Sequence, residues 1–178
     1  MACINLASTK EVNLQKSLVH HKLWDLENVK LKPRQLCIFT KKLQQFAQDK
    51  GRIGCQNVYY HSSQYKSQAF AQSKQALETL NYKFVDVRDR SKNSADKQLI
   101  TDCVNLVAPK PFPKTIILVL GDWDYAGLIS VLKALTINVI VFAQRNSTSP
   151  RLINLVGEEN FHYVEDFLQK PSYLPLDL

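Results

Sequence analysis

Aspartates stand near the ends of apolar runs, where the strands of a parallel sheet present their carboxyl ends. Asp25 lies near the end of the run KLWDL, and Asp122 and Asp124 follow the run TIILVL. Asp96 lies in the first turn of a segment with helical spacing of its apolar residues. Carboxylates in this arrangement suit hard, oxygen-ligated cations such as Mg²⁺ or Mn²⁺. The spacing therefore predicts a divalent-metal site at one edge of a sheet.

Each aspartate also has a purely structural interpretation. In that interpretation Asp25 caps a turn, and Asp122 is the N-cap of the following helix. Asp96 then stabilises the positive end of its helix dipole by roughly 0.3–1 kcal/mol. Two carboxylates about 5 Å apart repel by roughly 3 kcal/mol at an effective dielectric of 20. Capping does not require that crowding, whereas a bound cation compensates it.

The other chemistry-bearing residue types exclude several classes of site. The chain has only five glycines and contains neither G-x-G-x-x-G nor G-K-[ST], which argues against dinucleotide and P-loop chemistry. The four cysteines are widely scattered with no C-x-x-C, so we expect reduced, mostly buried thiols rather than a zinc site or disulfides. His20 and His21 lie just ahead of a predicted strand, and we expect an exposed or capping role rather than paired metal ligation.

The elements that must position these residues alternate along the chain. Short apolar segments predict strands at 22–26, 55–61, 82–87, 115–120, 137–143 and 161–164. Helical spacing predicts helices after Pro33, at 64–80, 94–107 and 125–135, and near Leu152. This order predicts an α/β fold, a three-layer α-β-α sandwich with a mainly parallel central sheet. In such a sheet the strand carboxyl ends and the helix N-termini share one edge, where ligands bind.

Length and composition favour one globular domain. The chain has 178 residues, of which 45% are hydrophobic. We expect an N-terminal lead-in at 1–19, one domain at 20–170 and a C-terminal tail at 171–178. No apolar run approaches the roughly 20 residues of a membrane-spanning helix, and polar residues interrupt the N-terminus where a signal peptide would be apolar. We therefore expect a soluble, cytoplasmic protein with no membrane partner.

Three motifs carry a resemblance to a known family. LWDLENV (23–29), KNSADKQLITD (92–102) and LVLGDWDYAGLI (118–129) resemble, in this order, the motifs of NYN domains, a branch of the PIN-like metal-dependent nucleases. The strand NVIVFA (138–143) also matches the strand that follows in that family. The resemblance spans about residues 22 to 167. It implies a PIN-like fold and metal-dependent hydrolysis of RNA.

The resemblance also implies site residues. It assigns catalytic and metal-ligand roles to Asp25, Asp96, Asp122 and Asp124 and places Asn28 beside them. In metal-assisted hydrolysis the ion polarises the phosphate and lowers the pKa of a bound water. Asp25 and Asp122, at neighbouring central strands, are the strongest predicted ligands. Two further acidic residues fit less well: Asp102 lies roughly 9 Å along the helix from Asp96, and we expect Glu27 to point away or to brace a neighbour.

Two departures from the family pattern keep other functions open. Leu120 stands where family members usually have a small hydroxyl residue, and Trp123 stands between the two aspartates where a small residue is common. Leu120 favours the alternative of a catalytically weak or inactive NYN-type module that binds RNA or protein. A haloacid-dehalogenase-like phosphatase is a second alternative. It is disfavoured because that chemistry wants a second aspartate two residues after the first, where Glu27 follows Asp25.

The charge distribution and Trp123 predict the partner. The formal net charge is +7, and basic residues near the acidic edge predict contacts with the phosphates of single-stranded RNA. These residues are Lys30, Lys32, Arg34, Arg88, Arg90, Lys92, Arg145 and Arg151. Trp123 is predicted either to stack on a base beside the scissile phosphate or to pack against a loop or a second subunit of a homodimer. Trp24, inside the first strand, is predicted to be buried.

Overall fold

The computed structural model describes residues 19–89, 91 and 93–169, and a parallel sheet forms its centre. The strands are β1 (Val19–Asp25), β2 (Arg52–Tyr60), β3 (Lys83–Asp86), β4 (Thr115–Val119), β5 (Asn138–Ala143) and β6 (Phe161–Tyr163). Their order across the sheet is β3-β2-β1-β4-β5-β6, and every neighbouring pair is parallel. The strand order changes direction between β1 and β4. Open parallel sheets bind their ligands at such a switch point.

Helices cover both faces of the sheet. They are α1 (Pro33–Gln48), α2 (Gln68–Glu78), α3 (Ser94–Val107), α4 (Ala126–Ala134), α5 (Pro150–Val156) and α6 (Val164–Gln169). The buried side chains of α1, α2 and α6 form one apolar core with one face of the sheet. Those of α3, α4 and α5 form a second core with the other face. This arrangement confirms the predicted three-layer α/β fold.

Strand β4 shows how the sequence specifies the two cores. All five of its residues are buried. Ile116 and Leu118 enter the core of α3 to α5, whereas Ile117 and Val119 enter the core of α1, α2 and α6. Successive strand side chains point to opposite faces, so a continuous apolar run is what a strand covered on both faces requires. The prediction of a central strand at 115–120 is confirmed.

The first strand begins earlier than predicted, which changes the interpretation of the histidines. The pairing of β1 with β2 extends back to Val19 opposite Arg52. His20 is 1% exposed, with Nε2 2.8 Å from the carbonyl oxygen of Lys50. His21 Nδ1 accepts the backbone N–H of Cys55 at 2.9 Å. The predicted exposed or capping role of these histidines is therefore wrong, because both belong to the strand.

The cysteine prediction is partly right. Cys103 is buried, whereas Cys37 and Cys55 are partly exposed, and all three are free. Cys3 lies outside the described residues, as do the predicted tail at 171–178 and the predicted lead-in apart from Val19. Within the described part of the chain, no helix combines the length and the apolar character needed to cross a membrane.

Candidate active site

Asp25 ends β1 and is enclosed by the turn that follows. Asp25 is 2% exposed to solvent. Its Oδ1 accepts the backbone N–H groups of Glu27 at 2.9 Å and of Asn28 at 3.2 Å. The turn-capping role of the structural interpretation is therefore present. The second carboxylate oxygen, Oδ2, points instead to the loop that follows β4.

The hydroxyl of Tyr125 joins Asp25 to Asp96. Tyr125 is fully buried, and its Oη lies 2.8 Å from Oδ2 of Asp25 and 2.9 Å from Oδ1 of Asp96. A phenol has one proton to donate, so it satisfies one of the two carboxylates at a time. Burial raises the pKa of Asp25 to about 6, with Asp96 adding to the rise and the Tyr125 hydroxyl opposing it. Burial and the two carboxylates also raise the pKa of Tyr125, which keeps the hydroxyl neutral.

Asp122 and Asp124 lie on the open side of the same edge. Both are exposed. Oδ1 of Asp122 accepts the backbone N–H of Asp124 at 3.2 Å and caps the 3₁₀ turn Trp123–Tyr125. Oδ2 of Asp124 accepts from Nδ2 of Asn93 at 3.3 Å, which links this turn to the start of α3. The N-cap predicted for Asp122 is therefore found on this 3₁₀ turn rather than on the longer helix.

Asn28 braces the loops that carry the aspartates. Its Oδ1 accepts the backbone N–H of Gly121 at 2.5 Å, which ties the turn after β1 to the loop after β4. Gly121 leaves little room for a larger residue. An added Cβ would lie 3.2 Å from Cβ of Ala143 and 3.3 Å from the carbonyl oxygen of Ser147. The glycine directly before Asp122 thus permits the close approach of two site loops.

The donor chemistry suits a hard cation, but the grouping of the donors is incomplete. Carboxylate oxygens are the ligands that Mg²⁺ and Mn²⁺ prefer. Among the described residues, however, no group of three or more His, Cys, Asp or Glu side chains is arranged to hold a metal ion. The Tyr125 hydroxyl stands between Asp25 and Asp96, and Asp122 and Asp124 face solvent. A cation would have to draw the two pairs of carboxylates together.

Leu120, the departure from the family pattern, adds nothing polar to the site. Its side chain is fully buried in the core formed with α3 to α5. Its backbone N–H donates to the carbonyl oxygen of Phe142 at 2.9 Å. The side chain at this position therefore faces the core. Polar contacts at the end of β4 come from Gly121 and Asp122.

The predicted RNA-contacting residues fall into different environments. The exposed ones in the described part of the chain are Lys30, Lys32, Arg34, Arg88, Arg145 and Arg151. The guanidinium of Arg145 is paired with Asp166 and lies 4.1 Å from the ring centroid of Tyr163, so its charge is already engaged. The backbone of Lys30 exchanges two hydrogen bonds with the side-chain amide of Gln144. Arg90 and Lys92 lie outside the described residues.

The two tryptophans lie in different environments. Trp24 is 1% exposed, and its Nε1–H donates to the carbonyl oxygen of Val29 at 3.1 Å, which confirms its predicted burial. Trp123 is 39% exposed between Asp122 and Asp124, with the guanidinium of Arg151 6.0 Å from its ring centroid. Trp123 is thus an accessible aromatic face beside the carboxylates.

Sequence reasoning missed two residues of the site. Tyr125 follows the second aspartate in the sequence, and nothing in its spacing indicates that its hydroxyl turns back to Asp25. His61, after β2, was not predicted at all, although its Nε2 lies 3.7 Å from Oε1 of Glu27. Asp102 has the contacts of a structural residue, because it accepts from the Tyr59 hydroxyl at 2.9 Å.

An all-parallel, helix-covered sheet with aspartates where its two central strands end is the arrangement of PIN-like, nuclease-type domains. The family model of the NYN domain matches residues 22–165 of the chain. The chain therefore belongs to the NYN domain family. Curated protein sequences give no match to it.

Proposed function

We propose that the chain hydrolyses RNA phosphodiester bonds with a divalent cation, Mg²⁺ or Mn²⁺, held at the acidic edge of its sheet. The observation that carries the proposal is the convergence of carboxylates at the switch point between β1 and β4. Asp25 and Asp96 meet at one hydroxyl there, and Asp122 and Asp124 follow the neighbouring strand. Membership of a nuclease-type family supports the same reading.

Each residue of the site has a defined part in this proposal. Asp122 and Asp124 are exposed and would hold the cation together with Asp96 and Asp25. The bound cation would polarise the phosphate and lower the pKa of a water molecule. The Tyr125 hydroxyl orients the two inner carboxylates, and Asn28 keeps the two loops in contact. Capping alone does not explain the pairing of Asp25 with Asp96, because mutual repulsion opposes it.

Charge and exposed aromatic surface support RNA as the substrate. Lys30, Lys32, Arg34 and Arg88 are exposed on elements that start or end near the acidic edge. Lysine and arginine neutralise backbone phosphates without reading sequence. Trp123 adds an aromatic face, on which any base can stack. An extended single strand would present both its phosphates and its base faces to these side chains.

A nuclease assay tests the proposal. Single-stranded RNA is incubated with the chain and Mn²⁺, in parallel with EDTA and with a small phosphomonoester as the second substrate. We expect cleavage of RNA only with the metal, and no release of phosphate from the monoester. Phosphomonoester hydrolysis without RNA cleavage would identify a phosphatase instead.

A non-cutting RNA-binding module is the second candidate function. The specific observation in its favour is the Tyr125 hydroxyl between Asp25 and Asp96, together with the lack of a three-ligand group among the described residues. This candidate predicts RNA binding that is unchanged by Mn²⁺, with intact RNA recovered. The assay above therefore separates the two.

Metal binding is expected to stabilise the fold. Binding to the native state alone adds RT ln(1 + [L]/Kd), about 2.7 kcal/mol at a hundredfold excess over Kd. Millimolar Mn²⁺ should raise the melting temperature of the wild type and should do so much less for Asp122→Asn. Differential scanning fluorimetry with a metal titration measures both shifts. Equal shifts in the two proteins would show that the metal binds elsewhere.

Removal of the Trp123 ring is expected to weaken RNA binding. Stacking contributes about 1–3 kcal/mol per base, so Trp123→Ala should bind single-stranded RNA about five- to a hundredfold more weakly. The metal-induced rise in melting temperature should stay unchanged.

Fluorescence supplies the matched control for this prediction. RNA should quench the tryptophan emission of a non-cutting Asp122→Asn protein, and the added change Trp24→Phe should preserve the quench. If Trp123→Ala keeps its RNA affinity but changes its elution on sizing, the ring belongs to an interface between subunits.

A further inference from the structure

A polar cavity of about 340 Å³ lies beside the acidic site. The turn after β1, the turn after β2 and the start of α3 line it, and it is open to solvent. Its walls include Glu27, His61, Gln64, Asn93, Ser94 and Asp96. Because Asp96 belongs also to the acidic site, a ligand in this cavity is a direct neighbour of the reacting phosphate. The volume is at the lower end of the roughly 300–1,000 Å³ of small-ligand pockets, which suits a single base.

Glu27 brings a partly exposed carboxylate to this cavity. Its backbone N–H is fixed by Oδ1 of Asp25 at 2.9 Å, so its main chain is anchored. Its Oε1 is buried and has no hydrogen-bond partner among the described residues, whereas the side chain as a whole is 26% exposed. The imidazole Nε2 of His61 is 3.7 Å away, beyond hydrogen-bonding distance. Buried carboxylate oxygens are normally paired, because an unpaired one loses its hydration without compensation.

The cavity wall beside Glu27 is held by hydrogen bonds to the backbone. His61 is 8% exposed, and its Nδ1–H donates to the carbonyl oxygen of Val87 at 2.6 Å. Its Nε2 lies 3.3 Å from the Ser94 hydroxyl, which donates to the carbonyl oxygen of Asp89 at 2.6 Å. These contacts with backbone acceptors hold both side chains in place beside Glu27. A ligand in the cavity can therefore supply donors to the Glu27 carboxylate.

A ligand with two adjacent N–H groups matches a carboxylate. Guanine carries N1–H and the N2 amino group side by side, which matches the two carboxylate oxygens. Adenine and cytosine place a ring acceptor beside their amino group, and uracil places its N3–H between two carbonyl oxygens. In each of these three bases an acceptor would face the carboxylate. Single-stranded RNA exposes these base edges for such readout.

We propose that the cavity of Glu27 and His61 binds a guanine base of the RNA substrate, with the N1–H and N2 amino groups on the Glu27 carboxylate. This assignment rests on the proposed function, because the acidic site next to it supplies the phosphate contact. The side-chain amides of Gln64 and Asn93 provide further donors and acceptors at the cavity wall. The site therefore gives the nuclease a preference for RNA with guanine beside the scissile phosphate.

Equilibrium binding in EDTA tests the assignment without cleavage. The free-nucleotide probes are GMP, AMP, CMP, UMP and IMP, and the RNA probes are the pentamers UUGUU, UUAUU, UUCUU and UUUUU. One bidentate base contact discriminates by about five- to a hundredfold. The wild type should therefore bind GMP and UUGUU more tightly than the other members of each set by that factor. IMP, which lacks the N2 amino group, should bind more weakly than GMP.

Glu27→Gln and a matched control locate the preference. The GMP-to-AMP affinity ratio should fall below about two in Glu27→Gln and should stay at the wild-type value in Glu78→Gln, whose carboxylate lies at the end of α2, away from the site. The IMP comparison needs no variant, so it holds even if Glu27→Gln is unstable.

Several results would overturn the assignment. They are equal binding of the nucleotides by the wild type, no GMP binding at millimolar concentration, and a guanine preference that persists in Glu27→Gln. A preference for GMP with equal affinity for the four pentamers overturns the RNA assignment and identifies a free-nucleotide site. If the chain cuts RNA without a preference for guanine, the guanine assignment is wrong and the proposed nuclease function stands. If the chain binds guanine selectively but cuts no RNA, the nuclease function is wrong and the guanine site stands.

Discussion

Asp25→Asn is expected to lose RNA cleavage by at least about a hundredfold and, at pH 7, to melt at a higher temperature than the wild type. The loss of activity follows from the proposed role of this carboxylate as an inner metal ligand. The gain in stability follows from its burial. The rise in the pKa of Asp25 from 3.8 to about 6, at 1.36 kcal/mol per pKa unit, makes its ionisation cost the fold about 3 kcal/mol.

Asparagine suits the contacts that Asp25 makes. Its side-chain oxygen accepts the same backbone N–H groups of Glu27 and Asn28. Its amide nitrogen adds a donor toward the Tyr125 hydroxyl, which can then give its single proton to Asp96. In the absence of metal, Asp25 and Asp96 share one hydroxyl proton, and the asparagine amide of the variant supplies a second hydrogen-bond donor. A gain of 1 kcal/mol raises the melting temperature by about 2–4 °C in a domain of this size.

The stability difference between the wild type and Asp25→Asn should depend on pH in a defined direction. A raised folded-state pKa means that the native state holds its proton longer than the unfolded state. Below about pH 3 both states are protonated, and wild type and Asp25→Asn should differ little from this cause. The stability of the wild type should fall relative to the variant between pH 4 and 6, and the difference should be complete above pH 6. Thermal melts in EDTA across this range measure it.

Asp102→Asn is the matched control for activity. Asp102 is an aspartate of the same helix as Asp96, but it contacts Tyr59 and Gln98 rather than the site. It should keep most of the cleavage activity. If Asp25→Asn cuts RNA at the wild-type rate, Asp25 is not a catalytic residue. A melting temperature below that of the wild type at pH 7 would show that the turn requires the charged form.

The fold was predictable because its signals are local. The apolar run at 115–120 predicts a strand covered on both faces, and the structure buries all of β4. The helix predicted at 94–107 has those bounds in the structure. The helix predicted at 64–80 begins later, at Gln68, because Ser67 caps it and residues 62–64 form a 3₁₀ turn. Such boundaries depend on caps and turns rather than on periodicity.

The edge of the site was predictable, but its contacts were not. The rule that parallel strands end at one edge places Asp25 near Asp122 without any knowledge of side chains. The hydrogen bond from Tyr125 to Asp25 joins residues 100 positions apart. The engagement of Arg145 by Asp166 depends on the packing of the last helix. Contacts of this kind follow from side-chain directions in three dimensions, which a linear pattern does not contain.

Lys22 is the residue whose burial departs most clearly from what the sequence pattern indicates. It stands in a strand whose next two residues are Leu23 and Trp24, and a lysine there would ordinarily reach solvent. Instead it is 1% exposed. Its Nζ donates to Oε1 of Gln44 at 2.7 Å and to the hydroxyl of Tyr82 at 3.2 Å. Burial lowers its pKa to about 7, an effect that requires α1 and the loop before β3 to close over the strand.

Lys22→Met is expected to stabilise the fold at pH 7 and to remove a pH dependence. The fall in the pKa of Lys22 from 10.5 to about 7 corresponds to about 5 kcal/mol for carrying the buried charge below pH 7. Methionine fills a similar volume without a charge. Leaving Gln44 and Tyr82 without their donor costs about 1–3 kcal/mol for each group. With about 2 kcal/mol for each group, the net gain should be about 1 kcal/mol.

The pH profile separates this mechanism from a simple packing change. Because the folded-state pKa of Lys22 is lowered, the unfolded chain binds more protons between pH 7 and 10, and the wild type gains stability as the pH rises. The advantage of Lys22→Met should shrink by up to about 1.4 kcal/mol per pH unit from pH 7 to 9. Urea unfolding at several pH values measures this difference, with Lys41→Met on the exposed face of α1 as the control. An advantage that stays constant with pH would mean that the pKa of Lys22 is the same in the folded and the unfolded chain, so that burial does not shift it.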